Sequence, residues 1–318
     1  MQEAWAITSF YNPLRGAARK RNYQVFRRHL ELPLLTVEWS LDGRFELGPG
    51  DAEILLQISG GDLMWQKERL LNLGLARLPD GCRYVAWIDC DVVFHRRGWS
   101  EHAVRLCATR DVVQLYESFR DLPETDAIQG TLDDILSIPE IKTRPSIARV
   151  IACGGAILSA SSAAQTDPMD VLPSGSVGMA FMASRDFLNT VSLYDANVVG
   201  GGDLTFVAAL LDRLDELFTH RRFSAAHRAD VLRWSGRVRR ALSGRRARFE
   251  ALPLGMSHLW HGVKAKRGYA QRYQILEAGG FDPSADLRID PAGLWCWSSG
   301  VGALQAAVEA YIVGRSDA

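Results

Sequence analysis

Residues 84–94 read YVAWIDCDVVF. A stretch this apolar at successive positions offers no solvent-facing side, so it must be covered on both faces. An interior strand of a helix-covered sheet meets that demand, which restricts the chain to α/β architectures. Asp89 and Asp91 interrupt the run with one residue between them. An unpaired buried charge is expensive, and two like charges held close must meet a cation or give one charge up to a proton. On an extended chain both would project to the same side. In an open α/β sheet, ligands bind beyond the carboxyl ends of the strands, where this pair falls. A divalent metal carrying a nucleotide diphosphate satisfies the pair. A turn or a helix N-cap is the plainer explanation of the same residues.

The flanking sequence supplies the rest of such a sheet. AWAITSF (Ala4–Phe10), LLTVEW (Leu34–Trp39), EILLQI (Glu53–Ile58) and DVVQLY (Asp111–Tyr116) read as strands. Helical spacing predicts helices over Gly16–Glu31, from an N-cap at Asp62 to Leu78, and around Ser100–Thr109. GGAILSA and SVGMAFMA read as later strands, and Val301–Val313 as a late helix. Strands alternating with helices predict a mostly parallel sheet flanked by helices, in a single domain over 1–318.

Composition excludes some classes. No run approaches the apolar length of a membrane span, and MQEAWAITSFYNP has no basic-then-apolar leader pattern. Five scattered Cys with no CxxC pair argue for reduced thiols, a cytoplasmic setting and no thiolate zinc site. The net charge of zero hides a segregation: residues 219–248 hold ten Arg and one Asp.

Six segments resemble those of the GT-A nucleotide-sugar glycosyltransferases. WIDCDVVF resembles their DxD motif; FYNPLRGAARKRNYQVF lies where they hold base and ribose; QKERLLNLGL resembles the helix before the DxD strand. GMAFMASRDFL, the glycine-rich acidic VVGGGDLTF and the late histidine motif SHLWHG follow. The resemblance implies a GT-A, Rossmann-like fold and transfer of a sugar from a nucleotide-diphosphate donor, UDP-linked, with inversion. It implies Asp91 as a metal ligand, Asp89 on the ribose, a metal-bound water or the metal itself, and His261, with His258 second, as the imidazole. Carboxylate and phosphate oxygens suit Mg²⁺ or Mn²⁺, and an added imidazole tilts the choice to Mn²⁺. It implies Asp203 as general base, although Asp203 could equally cap the helix it opens. Gly202 stands where many relatives carry Glu. Donor-site candidates are Phe10, Tyr11, Asn12, Arg15, Lys67 and Arg185. The aromatics could instead be core, and Arg185 a surface helix start.

Within 219–250, Val231, Trp234, Val238 and Leu242 recur at helical spacing among arginines, predicting a basic amphipathic helical insert. A packed helix with a solvated Arg face, a helix on an anionic membrane surface, and contact with a polyanion such as DNA are the three readings. The acceptor is accordingly open among a glycan, a lipid-linked glycan and a modified DNA base. A sugar-1-phosphate nucleotidyltransferase is the runner-up enzyme, disfavoured by the single glycine in SFYNPLRG. A non-catalytic sugar-nucleotide-binding protein is the alternative outside enzymes.

Overall fold

The computed structural model describes residues 3–159, 172–262, 267–269 and 272–315. The chain opens with β1 (Ala4–Tyr11), α1 (Ala17–His29), β2 (Leu34–Ser40), β3 (Ile54–Ser59), α2 (Lys67–Leu75) and β4 (Tyr84–Ile88). Next come β5 (Val92–Phe94), α3 (Trp99–Cys107), β6 (Val112–Gln114), β7 (Ser118–Asp121), α4 (Leu132–Ser137), β8 (Lys142–Pro145), α5 (Ile147–Ala152) and β9 (Leu158–Ser159). They are followed by β10 (Leu172–Pro173), β11 (Ala180–Ser184), α6 (Arg185–Val191), α7 (Gly202–Leu210), α8 (Leu214–His220), α9 (Ala225–Ala241), β12 (Phe249–Ala251) and β13 (Gly255–His258). The C-terminal group is α10 (Arg272–Ala278), α11 (Pro283–Asp286), β14 (Leu287–Ile289), β15 (Trp295–Trp297) and α12 (Gly302–Gly314).

The main sheet has the order β12-β6-β11-β4-β1-β2-β3. All its strands run one way except β11, which is antiparallel to both β4 and β6. The alternation along β4 shows why its sequence is apolar throughout. Val85 and Trp87 enter a core shared with α2, α7 and α9, while Ala86 and Ile88 enter a second core shared with α1 and α3. Trp87 stacks on Phe181 of β11 at 5.3 Å and meets Phe206 of α7 edge-on at 5.5 Å. Such aromatic pairs add to the area that they remove from water. The expected α/β class, a mostly parallel sheet flanked by helices, is the architecture observed.

Three local expectations are corrected. α2 begins at Lys67 and ends at Leu75, not Asp62 to Leu78. Asp62 does not cap it: its carboxylate accepts from the Trp297 N–H at 2.7 Å, and the Gln66 amide brackets the Trp295 backbone at 2.8 and 3.0 Å. The β14–β15 hairpin thus sets where α2 begins. The strand expected over SVGMAFMA starts only at Ala180, because Met179 adopts a positive φ of 78°. Of GGAILSA only Leu158–Ser159 is strand, and Ala160 lies outside the described residues.

Segment 219–250 is integral to the fold. In α9, Val231, Trp234 and Val238 are buried, and the Trp234 indole donates to the Val191 carbonyl at 3.2 Å. The chain then returns to the main sheet as its edge strand β12. Several outward arginines are ion-paired: Arg233 with Asp230 at 2.6 Å, Arg245 with Asp111 at 2.6 Å and Arg239 with Asp212 at 3.3 Å. Among the described residues, no helix is long and apolar enough to cross a membrane.

Candidate active site

A second sheet, β5-β13-β7-β8, builds the corner where Asp91, His258 and His261 meet. After β4 the chain turns, with the Asp89 N–H on the Met179 carbonyl at 2.7 Å, and feeds β5 into this sheet. His258, the last residue of β13, stands opposite Val92 of β5 and Asp121 of β7. The Leu259 N–H on the Asp91 carbonyl, at 2.8 Å, locks the two segments together. An Asp91 carboxylate oxygen therefore lies 3.1 Å from His261 Nε2 and 4.0 Å from His258 Nε2. Ligand atoms of Asp91, His258 and His261 all lie within 4.8 Å of one another, and all three residues are buried. Asp121 holds His258 Nδ1 at 3.0 Å, so Nε2 is turned to the cluster, as carboxylates behind metal-binding histidines do. Burial, followed by Arg19, Arg267 and His258, holds His261 well below the usual imidazole range and thus neutral. The buried Asp91 Oδ1 has no hydrogen-bond partner among the described residues. A buried carboxylate oxygen without a partner, beside two imidazoles, fits a divalent cation.

The two acids of the motif do not share one partner. β4 ends at Ile88, and beyond it Asp89 takes its partner from α2. There Lys67 Nζ of α2 lies 2.6 Å from Asp89 and 3.1 Å from Asp203 of α7. Asp89 is therefore outside the group formed by Asp91, His258 and His261. Burial works against the Lys67 charge, but Asp203 and Asp89 outweigh it and raise its pKa well above the usual lysine value. Burial, eased by Lys67 and reinforced by the Asp203 charge, raises Asp89 and Glu68 above the ordinary carboxylate range. Asp203 does not cap α7: the N-cap is Gly201 at φ 100°, and no side-chain cap bond is made. A Cβ on Gly202 would lie 2.5 Å from the Glu68 carboxyl, so glycine is required there by a carboxyl that α2 supplies.

A cavity of about 510 Å³ opens over both clusters. Phe10, Tyr11, Asp89, Asp91 and Asp203 line it, together with Arg221, Arg267, Tyr269, Arg272 and Arg315. The volume is within the range of small-molecule sites, about 300–1,000 Å³. Tyr11 stacks on Trp39 at 5.2 Å and Phe10 packs edge-on against Tyr23 at 5.4 Å, so both also belong to the packed interior.

Three donor-site candidates do not reach the cavity. Asn12 spends its amide on Gly16 and Glu46, stapling its loop. Arg15 pairs with Asp42 at 2.6 Å on the surface. Arg185 donates to the carbonyls of Leu78 and Pro79 at the other end of the sheet, because β11 runs antiparallel and carries its C-terminus away from Asp89. The N-terminal segment instead contributes Arg19, 3.5 Å from Asp91. Arg19 shares a helical face with Asn22, Tyr23 and Phe26, and Asn22 ties α1 to the Trp260 carbonyl at 2.9 Å. That spacing was available in the sequence. Nothing local marked Asp121, Arg221, Arg267, Arg272 or Arg315.

No protein-family model matches the sequence, and no curated protein does. Among solved structures, the chain is similar to a mutant of Drosophila β1,4-galactosyltransferase 7 in complex with manganese, UDP-Gal and xylobiose. The identity is 10%, the coverage 67% of this chain and 62% of that one, and the TM-score 0.33. It is also similar to Staphylococcus aureus TarS in complex with UDP-GlcNAc, at 10% identity, 83% and 60% coverage and a TM-score of 0.39. The catalytic domain of the Drosophila enzyme with xylobiose gives 8% identity, 95% and 97% coverage and a TM-score of 0.38. The chain thus spans 62% and 60% of the first two structures.

Proposed function

We propose that this chain is a metal-dependent glycosyltransferase that moves a sugar from a nucleotide-diphosphate donor, UDP-linked, to an acceptor hydroxyl with inversion. The observation that carries the reading is the buried Asp91–His258–His261 cluster, backed by Asp121, at one end of a cavity beyond the strand ends. These three residues would hold Mn²⁺ in preference to Mg²⁺, given two imidazoles. A cation bound there supplies Lewis-acid neutralisation of the departing diphosphate. Arg19, Arg267 and Arg315 add positive charge on the same side. Phe10 and Tyr11 form the floor under the nucleotide.

Asp203 takes the acceptor hydroxyl's proton as it attacks, a contribution of about 10²–10⁴-fold. Lys67, 2.6 Å from Asp89 and 3.1 Å from Asp203, fixes the positions of both carboxylates. Metal-dependent release of nucleoside diphosphate from a panel of sugar nucleotides tests the proposal. Release that needs Mn²⁺ and is lost in Asp91→Ala is expected. Pyrophosphate exchange instead of diphosphate release would favour the nucleotidyltransferase, and binding without turnover the non-catalytic protein.

A further inference from the structure

The arginines of segment 219–250 are not all spent inside the fold. α9 buries Val231, Trp234 and Val238, so its helical period decides which residues face out. Arg228, Leu232, Arg233, Arg237, Arg239 and Arg240 are exposed. Leu232, 49% exposed, stands between Arg228 and Arg239 on one flank and Arg233, Arg237 and Arg240 on the other. Ala229 and Gly236 fill the rest of that strip with nothing bulky. The outward face is thus a rim of guanidiniums around an exposed leucine.

Part of this charge is balanced within the molecule. Arg233 meets Asp230 at 2.6 Å and Arg239 meets Asp212 at 3.3 Å. Arg228 donates to the Phe218 carbonyl at 3.2 Å and lies over the Phe218 ring. Asp230, the acid of α9, also accepts from the Tyr194 hydroxyl at 2.9 Å. Arg237, Arg240 and the exposed Arg246 just beyond the helix form no ion pair among the described residues. Arg237 has Arg233 one turn before it and Arg240 one turn after it, where like charges repel. The negative helix end eases Arg239 and Arg240 in the last turn. An external anionic surface would relieve all of them together.

The leucine selects among anionic surfaces. A nucleic-acid backbone offers phosphates but no apolar layer for Leu232. The headgroup zone of an anionic bilayer offers both, phosphates for the guanidiniums and the acyl boundary for the leucine. Arginine stems can lie along that boundary while their charges stay among the headgroups. Zero net charge makes the contact one-sided: residues 219–248 hold ten Arg and one Asp, so the remainder of the chain is acidic in balance and is repelled.

We propose that the outward face of α9, with Arg246, docks this protein onto an anionic membrane surface. The docking is independent of what the cavity binds.

The full chain, in EDTA, is sedimented with vesicles of phosphatidylcholine alone and of phosphatidylcholine with about 30% phosphatidylglycerol, at about 0.1 M salt. Binding to the anionic vesicles at least about ten-fold tighter than to the neutral ones is expected. Combining Arg237→Gln, Arg240→Gln and Arg246→Gln should weaken it by about 100-fold, since each arginine near such a surface contributes about five-fold. Leu232→Ser should weaken it by about ten-fold. Arg237→Gln alone, with about a five-fold loss, serves should the triple variant not fold. The same proteins are titrated with duplex DNA by fluorescence anisotropy. DNA binding tighter than vesicle binding, with Leu232→Ser without effect on either, would assign the face to nucleic acid and overturn the proposal. So would equal binding to both vesicle types, no binding to the anionic ones, or unchanged binding in the folded arginine variants.

Discussion

Asp121 stands behind His258 and decides which imidazole nitrogen faces Asp91. Asp121→Asn is expected to lower Mn²⁺ affinity by about 10–100-fold while leaving the fold intact, whereas Asp91→Ala should abolish specific binding. Calorimetric Mn²⁺ titration of the two variants checks the order. Lys67 is the second decisive residue. Lys67→Met leaves Asp89 and Asp203 without their shared cation, and a loss of about 3–5 kcal/mol is expected from breaking such a buried set. Denaturant unfolding measures it; a change below about 0.5 kcal/mol would show that the two acids do not depend on the lysine.

His227 gives a pH test at the same scale. It is fully buried in α9 against Phe223 at 4.5 Å and Phe281 at 5.1 Å, and neither ring nitrogen has a partner among the described residues. Burial lowers its pKa from 6.5 to about 3. Unfolding raises that pKa back, so the unfolded chain binds the proton more readily. The contribution of His227 to stability is full above pH 6.5 and is lost as pH falls from there toward 3, at about 1.4 kcal/mol per unit. His227→Phe should flatten this part of the stability profile, as measured by urea midpoints between pH 7 and about 4. An unchanged slope would mean that another group governs the acid limb.

At the scale of elements, the sequence disclosed what repeats and concealed what depends on partners. The period of β4, with Val85 and Trp87 on one side and Ala86 and Ile88 on the other, follows from residue type alone. The direction of β11 does not: FMAS reads the same parallel or antiparallel, and that direction sends Arg185 away from the site. The Asp91–His258–His261 corner was half legible. Asp91, His258 and His261 stand in recognisable motifs, but Asp121 joins them only because β7 and β13 pair in register. Asp89 and Asp91 line one cavity, but the Lys67 partner of Asp89 comes from α2, and no local pattern tied the two together. The α9 helix was legible through its apolar spacing, while its role under β12 depends on where the chain goes next. Trp234→Ala is expected to cost about 3–5 kcal/mol through the cavity it opens, whereas Arg237→Gln on the exposed face should stay within about 0.5 kcal/mol. Equilibrium unfolding of both separates a structural helix face from a solvated one.

On the scale of the whole molecule, the segregated charge takes on a more specific meaning. Part of the arginine excess of 219–248 is neutralised by Asp111, Asp212 and Asp230 on the surface. Arg221 from the same segment is turned inward to the cavity, where it meets arginines from α1, α10 and the end of α12. The cavity lining thus carries carboxylates and arginines together, a charge distribution suited to a cation–diphosphate pair. The C-terminal arginines could not be foreseen, since only tertiary packing brings them to the cavity that Asp89 and Asp91 line.

The central claim is that Asp91, His258 and His261 hold the cation that carries the donor's diphosphate. Calorimetric titration of UDP into the full chain, with Mn²⁺ and with EDTA, on wild type and on Asp91→Ala, addresses it most directly. The account predicts that Mn²⁺ tightens UDP binding at least about 10-fold in wild type, equivalent to about 1.4 kcal/mol, and that a folded Asp91→Ala loses the gain. Equal UDP affinity in EDTA and Mn²⁺, or a Mn²⁺ effect that survives Asp91→Ala, would contradict it.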